Sequence, residues 1–304
     1  LAVRNSDGRG VIEIRNMSGD EIPRLIWLTA GFLPRKILPL YDADGNGVAE
    51  LAVLREKVID GSVMVEIRNA FGATGDRQLW FEPFTTAHDM VVLDPFASEP
   101  GVSRIAVLLS QFSNNFGLVQ TKKPFGATSP TTVRMGSGYP GGIRVRKLAA
   151  IADADGDGVS EVAIVATRTT DGQILAEIRN ASGAANPRRI WFAAGHTLIA
   201  AEGVGASATN PVPDLAVASR RTSDGRIFVE TGNAFGIPTR QLTWFSSTFE
   251  AAAAIVALPD SNADSLHEAV LMLSRQSDGR MMLEKRNLND GATVILNTWL
   301  GASP

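Results

Sequence analysis

Asp153-Ala-Asp155-Gly-Asp157-Gly-Val159-Ser-Glu161 runs directly into the apolar segment Val162-Ala-Ile-Val165. Its oxygen-bearing side chains fall on alternate residues of a glycine-bearing turn, an arrangement that wraps a hard cation at the start of a β-strand. Calcium takes about six to eight oxygens at roughly 2.3–2.6 Å, and Asp153, Asp155, Asp157, the Val159 carbonyl, Glu161 and a water can supply them. Magnesium keeps its waters and suits such a cage less well. The pattern returns as Asp42-Ala-Asp44-Gly-Asn46-Gly-Val48-Ala-Glu50, with Asp42, Asp44, Asn46, Val48 and Glu50 as the ligand set. It returns again, without glycines, as Asp260-Ser-Asn262-Ala-Asp264-Ser-Leu266-His-Glu268, where Asp260, Asn262, Asp264, Leu266 and Glu268 are the candidates. Two bound calcium ions are predicted and a third is open, because Ala263 and Ser265 replace the glycines and an Asx-rich turn without an ion explains that stretch as well. An EF-hand is excluded: its bidentate glutamate stands at position twelve between helices, whereas Glu161 stands ninth and leads into a strand.

Working outward, the loops belong to a repeat. Asp-Gly recurs at Asp7, Asp60, Asp171, Asp224 and Asp278, with Asn114-Asn115 in the third copy. Asparagine recurs at Asn16, Asn69, Asn180, Asn233 and Asn287, with Lys123 standing in, and tryptophan at Trp27, Trp80, Trp191, Trp244 and Trp299, with Val133 to Met135 in the gap. The columns share a period of about 53–57 residues, which marks a repeat architecture of six copies. The copies span about 1–35, 36–87, 88–143, 144–196, 197–250 and 251–304 and form one domain, 1–304. Each holds four short apolar runs separated by turns, such as Leu148 to Ala152, Val162 to Ala166, Ile174 to Ile178 and Arg189 to Phe192. Asp-Gly between such runs predicts hairpins with primed turns. No copy contains a helical run. The expected fold is all-β, a six-bladed β-propeller of four-stranded antiparallel blades, with seven blades possible in a longer chain. The tryptophans, preceded by arginine at 24, 77, 189 and 240, are read as packing between blades in preference to sugar-stacking platforms. The Glu-Ile-Arg-Asn runs at 13–16, 66–69 and 177–180 are read as scaffolding.

Asp-x-Asp-Gly-x-Gly-x-x-Glu followed by an apolar strand, once per blade, resembles the FG-GAP and VCBS repeat families, whose propellers include the integrin α-subunit head and calcium-containing lectins. The likeness covers the whole chain and is most specific at 42–50 and 153–161, looser at 260–268; the Phe-Gly and Gly-Ala-Pro signatures are only echoed in Phe71-Gly-Ala73 and Phe125-Gly-Ala127. The resemblance implies that the loop joins the innermost strand of a blade to the second. Two copies depart from the pattern. Asp94-Pro-Phe-Ala-Ser-Glu99-Pro-Gly-Val-Ser-Arg104 ends on an arginine, which repels a dication and can take its place, and Gly205 to Asp214 keeps only its final acid. Neither is expected to hold metal. The first copy enters at Leu1, aligned with Leu51 past the loop, so it lacks an innermost strand. This arrangement, together with a first residue that is not methionine, predicts that the sequence is part of a longer polypeptide, or else that the sixth and first blades close the ring imperfectly.

Composition narrows the function. A net charge of -3 provides no broad field for nucleic acid or anionic membrane. There is no cysteine, hence no disulfide or thiolate site. The longest apolar run, Ala251 to Leu258, is too short to cross a bilayer. The three histidines, His88, His196 and His267, lie in different copies, and no nucleophile elbow, phosphate loop or dinucleotide fingerprint occurs, so no catalytic residue is assigned. Gly136-Ser-Gly-Tyr139-Pro-Gly-Gly142 is an insertion that reads equally as a binding loop and as a connector. Asn16-Met-Ser18 and Asn180-Ala-Ser182 match the glycosylation sequon but coincide with the repeat consensus. The expected function is a non-catalytic, calcium-stabilised binding or scaffolding module of a secreted or cell-surface protein, with a protein or glycan partner. A lectin-like propeller and an accessory domain of a secreted polysaccharide-active enzyme are the alternatives.

Overall fold

Proline and branched residues sort the strands before any packing is considered. Pro34 and Pro39 lie in Phe32–Leu40, which is an edge strand where a missing N–H costs no ladder bond. Glu161–Arg168 and Ile174–Asn180, which carry no proline, are central strands with residues buried on both faces. The computed structural model describes residues 2–3, 9–14, 24–71, 77–111, 116–126, 130–135, 142–183, 187–206, 212–235, 241–245, 249–260, 266–275, 277–278, 280–288 and 294–300. Among them there is no helix, and every sheet is antiparallel with its strands in chain order. The fold is an all-β propeller built of four-stranded blades.

The chain divides into two compact units, 1–134 and 135–304. The first contains a three-stranded sheet (Ala2–Val3, Gly10–Ile14, Arg24–Trp27), a second sheet (Phe32–Leu40, Glu50–Lys57, Val63–Asn69, Arg77–Trp80) and a third (Thr85–Leu93, Arg104–Gln111, Gly117–Lys122, Thr131–Arg134). The second unit contains a fourth sheet (Ile143–Ile151, Glu161–Arg168, Ile174–Asn180, Arg188–Trp191), a fifth (His196–Val204, Asp214–Arg221, Ile227–Asn233, Gln241–Trp244) and a sixth (Phe249–Leu258, Glu268–Arg275, Met281–Asn287, Val294–Leu300). Five four-stranded blades are therefore present, not the expected six. The sixth sheet in the count is the first one along the chain, which has three strands among the described residues: Ala2–Val3 pairs with Gly10–Ile14, and Gly10–Ile14 with Arg24–Trp27.

Neighbouring sheets within a unit share apolar cores. Leu79 and Phe81 of the second sheet pack with Met90, Ile105, Val107 and Leu118 of the third. Ile190 and Phe192 of the fourth pack with Leu215 and Val217 of the fifth, and Phe245 with Ile255, Leu271 and Leu273 of the sixth. These residues flank the tryptophans, which is where the expectation fails. Side chains alternate along a strand, so with both neighbours of Trp80 buried its own ring faces the other way and is 44% exposed. Three of the rings lie against basic side chains: Arg9 lies 5.7 Å from Trp27, Arg168 5.0 Å from Trp191, and Arg221 and Arg226 4.8 and 4.5 Å from Trp244.

The Asp-Gly hairpins also differ from two-residue primed turns. Val58 to Gly61 form a four-residue loop closed by Lys57 N–H to Ser62 O and Gly61 N–H to Lys57 O, and only the glycine is left-handed, at φ 69°. The aspartate acts through its side chain, Asp60 Oδ1 accepting from Ser62 N–H at 2.9 Å. The Glu-Ile-Arg-Asn runs do serve the scaffold. Asn69 and Asn180 accept the N–H two residues on at 2.8 Å, and Glu66 and Glu177 are fully buried.

Candidate metal centres

Each acidic loop connects the first and second strands of a sheet: 41–49 joins Phe32–Leu40 to Glu50–Lys57, and 152–160 joins Ile143–Ile151 to Glu161–Arg168. Left-handed glycines bend both, Gly45 and Gly47 at φ 78° and 83°, Gly156 and Gly158 at 77° and 83°. A side chain at these positions would be strained, so the two glycines of the pattern are needed for the turn itself.

Within the first loop Asp42, Asp44 and Glu50 bring carboxylate oxygens within 4.8 Å of one another, and Asp153, Asp155 and Glu161 do the same in the second. The backbone organises the acids. Asp42 accepts N–H bonds from Asn46 and Gly47 at 2.9 and 2.7 Å, and Asp153 from Gly156 and Gly158 at 2.7 Å each. An ionised carboxylate has about four acceptor sites, so these bonds leave lone pairs for a cation. Glu50 and Glu161 reach back into the loop, accepting the N–H of Ala43 at 2.7 Å and of Ala154 at 2.9 Å.

The remaining expected ligands are placed differently. Asn46 donates to Asp44 at 2.9 Å and accepts from Val48 N–H at 2.8 Å. Asp157 accepts from Val159 N–H at 2.9 Å and from the Asn180 amide at 2.6 Å, outside the Asp153, Asp155, Glu161 cluster. In the third loop Asn262 and Asp264 lie outside the described residues, while Glu268 is buried with Lys285 Nζ 3.4 Å away. The other departing loops are also defined in part. Arg104, at the position of Glu50, donates to Glu99 at 2.6 Å, and Lys123 reaches the other oxygen of Glu99 at 2.7 Å. Hydrogen bonds from Lys123 and Arg104 hold the Glu99 carboxyl below its ordinary range.

The donor set fits a hard cation. Glu50 is 2% exposed, one of its oxygens is buried without a hydrogen-bond partner, and burial pushes its carboxyl above the usual range, with Asp44 and Asp42 pushing the same way against the Ala43 N–H. A carboxylate in that state lacks a positive partner. Burial raises Glu161 as well, opposed by the Ala154 N–H and by Arg188. That arginine is the residue the sequence reading missed. It donates to Glu161 Oε1 at 2.7 Å and Asp155 Oδ2 at 3.1 Å, and the only sequence signal was its place three residues before Trp191, shared with Arg24 and Arg77.

The histidines do not converge among the described residues: His88 bonds Ser110 Oγ at 2.7 Å, His196 the Ala193 carbonyl at 3.0 Å and His267 the Leu258 carbonyl at 3.3 Å. The insertion at 136–141 and the sequon at 16–18 lie outside the described residues. No family model matches the sequence, and no curated protein matches it.

Proposed function

We propose that this chain is a non-catalytic, calcium-stabilised β-propeller that serves as a binding or scaffolding module of a secreted or cell-surface protein, of the kind that FG-GAP and VCBS repeats form. The observation that carries the reading is the convergence of carboxylate oxygens of Asp42, Asp44 and Glu50 within 4.8 Å of one another, in a loop where one Glu50 oxygen is buried without a hydrogen-bond partner. Asp42, Asp44 and Glu50 would hold the ion, with water completing its coordination. A bound dication would offset two of the three negative charges that otherwise repel one another at the start of a strand. Loops of this charge suit the millimolar calcium outside cells. Calorimetric titration with calcium, set against magnesium, tests the reading: saturable calcium binding supports it, and no heat with either ion would abandon it.

A carbohydrate-binding propeller is a second reading with one observation in its favour. A cavity of about 320 Å³ in the second unit is lined by Phe228, Leu242 and Trp244 beside His196, Arg221 and Thr222. Apolar rings next to a few polar groups are the usual lining of a small-molecule site. Binding on a glycan array that is lost in Trp244→Ala would favour this reading over the first.

A further inference from the structure

The residue that opens the second strand meets a different electrostatic partner in four of the five four-stranded sheets, and the differences form a series. Glu50 gives Oε2 to the Ala43 N–H and leaves Oε1 buried and without a hydrogen-bond partner. Glu161 is as deeply buried and gives Oε2 to the Ala154 N–H, but its Oε1 accepts from Arg188, which also spans to Asp155. Glu268 has the Lys285 ammonium at 3.4 Å. In the third sheet the acid itself is gone and Arg104 with Lys123 brackets Glu99.

We propose that these basic side chains are the protein's own cations, standing where a metal would otherwise sit, so that the 42–50 loop is the preferred metal site and the 153–161 loop accepts a dication only when Arg188 withdraws. The inference rests on the reading of the loops as calcium sites. The two loops are nearly identical in sequence, and the second sheet also has an arginine, Arg77, at the strand position of Arg188. Arg77 is turned away: it donates to the Gly126 carbonyl at 2.7 Å, and its guanidinium lies 5.6 Å from the Phe125 ring. Arg188 makes the corresponding contacts, donating to the Ala234 carbonyl at 3.1 Å and lying 5.3 Å from Phe235, and reaches the carboxylates with its second nitrogen as well. One positive charge already within hydrogen-bond distance of two of the three acids weakens the loop's pull on a dication. Leaving also costs Arg188 its two bonds. Neither cost arises at Glu50.

Calcium titration of the full chain, followed by calorimetry and by native mass spectrometry for stoichiometry, tests this. The wild type should show one tight site, lost in Glu50→Gln, and a second, weaker one. Arg188→Gln should tighten the weaker site by about tenfold or more and leave the first within about twofold. Arg188→Lys, which keeps the charge but loses the forked reach, should fall between them and stands in if the glutamine variant does not fold. Two sites of equal affinity in the wild type, a tight site that survives Glu50→Gln, or a weaker site unmoved by both Arg188 variants would each overturn the inference while leaving the calcium reading intact. Absence of calcium binding in every variant would overturn both.

Discussion

Phe84 occupies a left-handed backbone position, φ 58°, four residues after Trp80. The equivalent residues after Trp27 and Trp191 are Gly31 and Gly195, at φ 82° and 77°. A side chain there costs roughly 1–2 kcal/mol, and the Phe84 ring is 77% exposed, so it recovers little by burial. Allowing for the extra freedom glycine gives the unfolded chain, Phe84→Gly should stabilise the protein by about 0.5–1 kcal/mol in thermal unfolding. A loss of more than about 1 kcal/mol would show that the ring makes contacts that outweigh the strain. Acid behaviour is likewise set by single residues. Hydrogen bonding from Arg168, and then from Gln173 N–H, holds Asp171 at about 2, against an ordinary value of 3.8, and Asp224 is held at about 2 by Arg221 and Asp278 by Arg275. A carboxyl depressed in the folded state contributes stability that is complete above its unfolded pKa and lost as pH falls through the folded one. The acid limb of unfolding should therefore be shallower in Asp171→Asn between about pH 4 and 2, as read by circular dichroism. A limb identical to that of the wild type would show that the pair at this exposed hairpin does not influence folding.

Each four-stranded sheet carries a register shift in its first strand, at Pro34/Lys36, Ala87/Asp89, Val145/Lys147, Leu198/Ala200 and Ala251/Ile255. One residue, or in the sixth sheet more, is unpaired there, which bends the edge strand. Beside these bends runs a repeated clasp. The N–H two residues after the tryptophan of one blade is accepted by the third strand of the next: Thr29 by Glu66 at 3.2 Å, Glu82 by Gln120 at 2.9 Å and Ala193 by Glu230 at 3.1 Å. Glu66 also pairs with Arg55, which is fully buried and donates to the Phe32 carbonyl at 2.8 Å. Glu66→Ala leaves that guanidinium without its counter-ion and should destabilise by about 3–5 kcal/mol, whereas Glu66→Leu combined with Arg55→Met should recover most of the loss. Equal destabilisation by both would mean that the clasp to Thr29, not the ion pair, holds the position. The first strands of the fourth and fifth sheets approach closely at Gly203, where an added Cβ would stand 1.8 Å from the Ala150 carbonyl oxygen. That neighbour is backbone and cannot rotate aside, so Gly203→Ala should cost about 3 kcal/mol or more in urea unfolding. A near-neutral result would contradict the close approach.

At the scale of the whole molecule, the calcium reading makes stability depend on the ion. A ligand that binds only the folded state adds about 2.7 kcal/mol at a hundred times its Kd, so a chelator should lower the melting temperature by several degrees. The shift should shrink in Glu50→Gln, and an unchanged melting temperature on chelation would count against occupied loops. Among the described residues five sheets have four strands and the first has three, so a regular repeat does not by itself fix the number of complete blades. The sequence alone determined the all-β class, the four-stranded blade repeat, the turns at Asp60, Asp171 and Asp224 and the acidic loops at 42–50 and 153–161. All of these are written in local chemistry, in glycines that must turn left-handed, asparagines that accept the N–H two residues on and apolar runs of strand length. Only the tertiary structure decided that Trp27, Trp191 and Trp244 face arginines, that Glu66 and Arg55 are buried together, and that Arg188 reaches the carboxylates of its loop while Arg77 turns to the next blade. Those outcomes depend on which side chains meet across sheets, between residues tens of positions apart. Two arginines at the same place in the repeat carry no mark of which way packing will turn them.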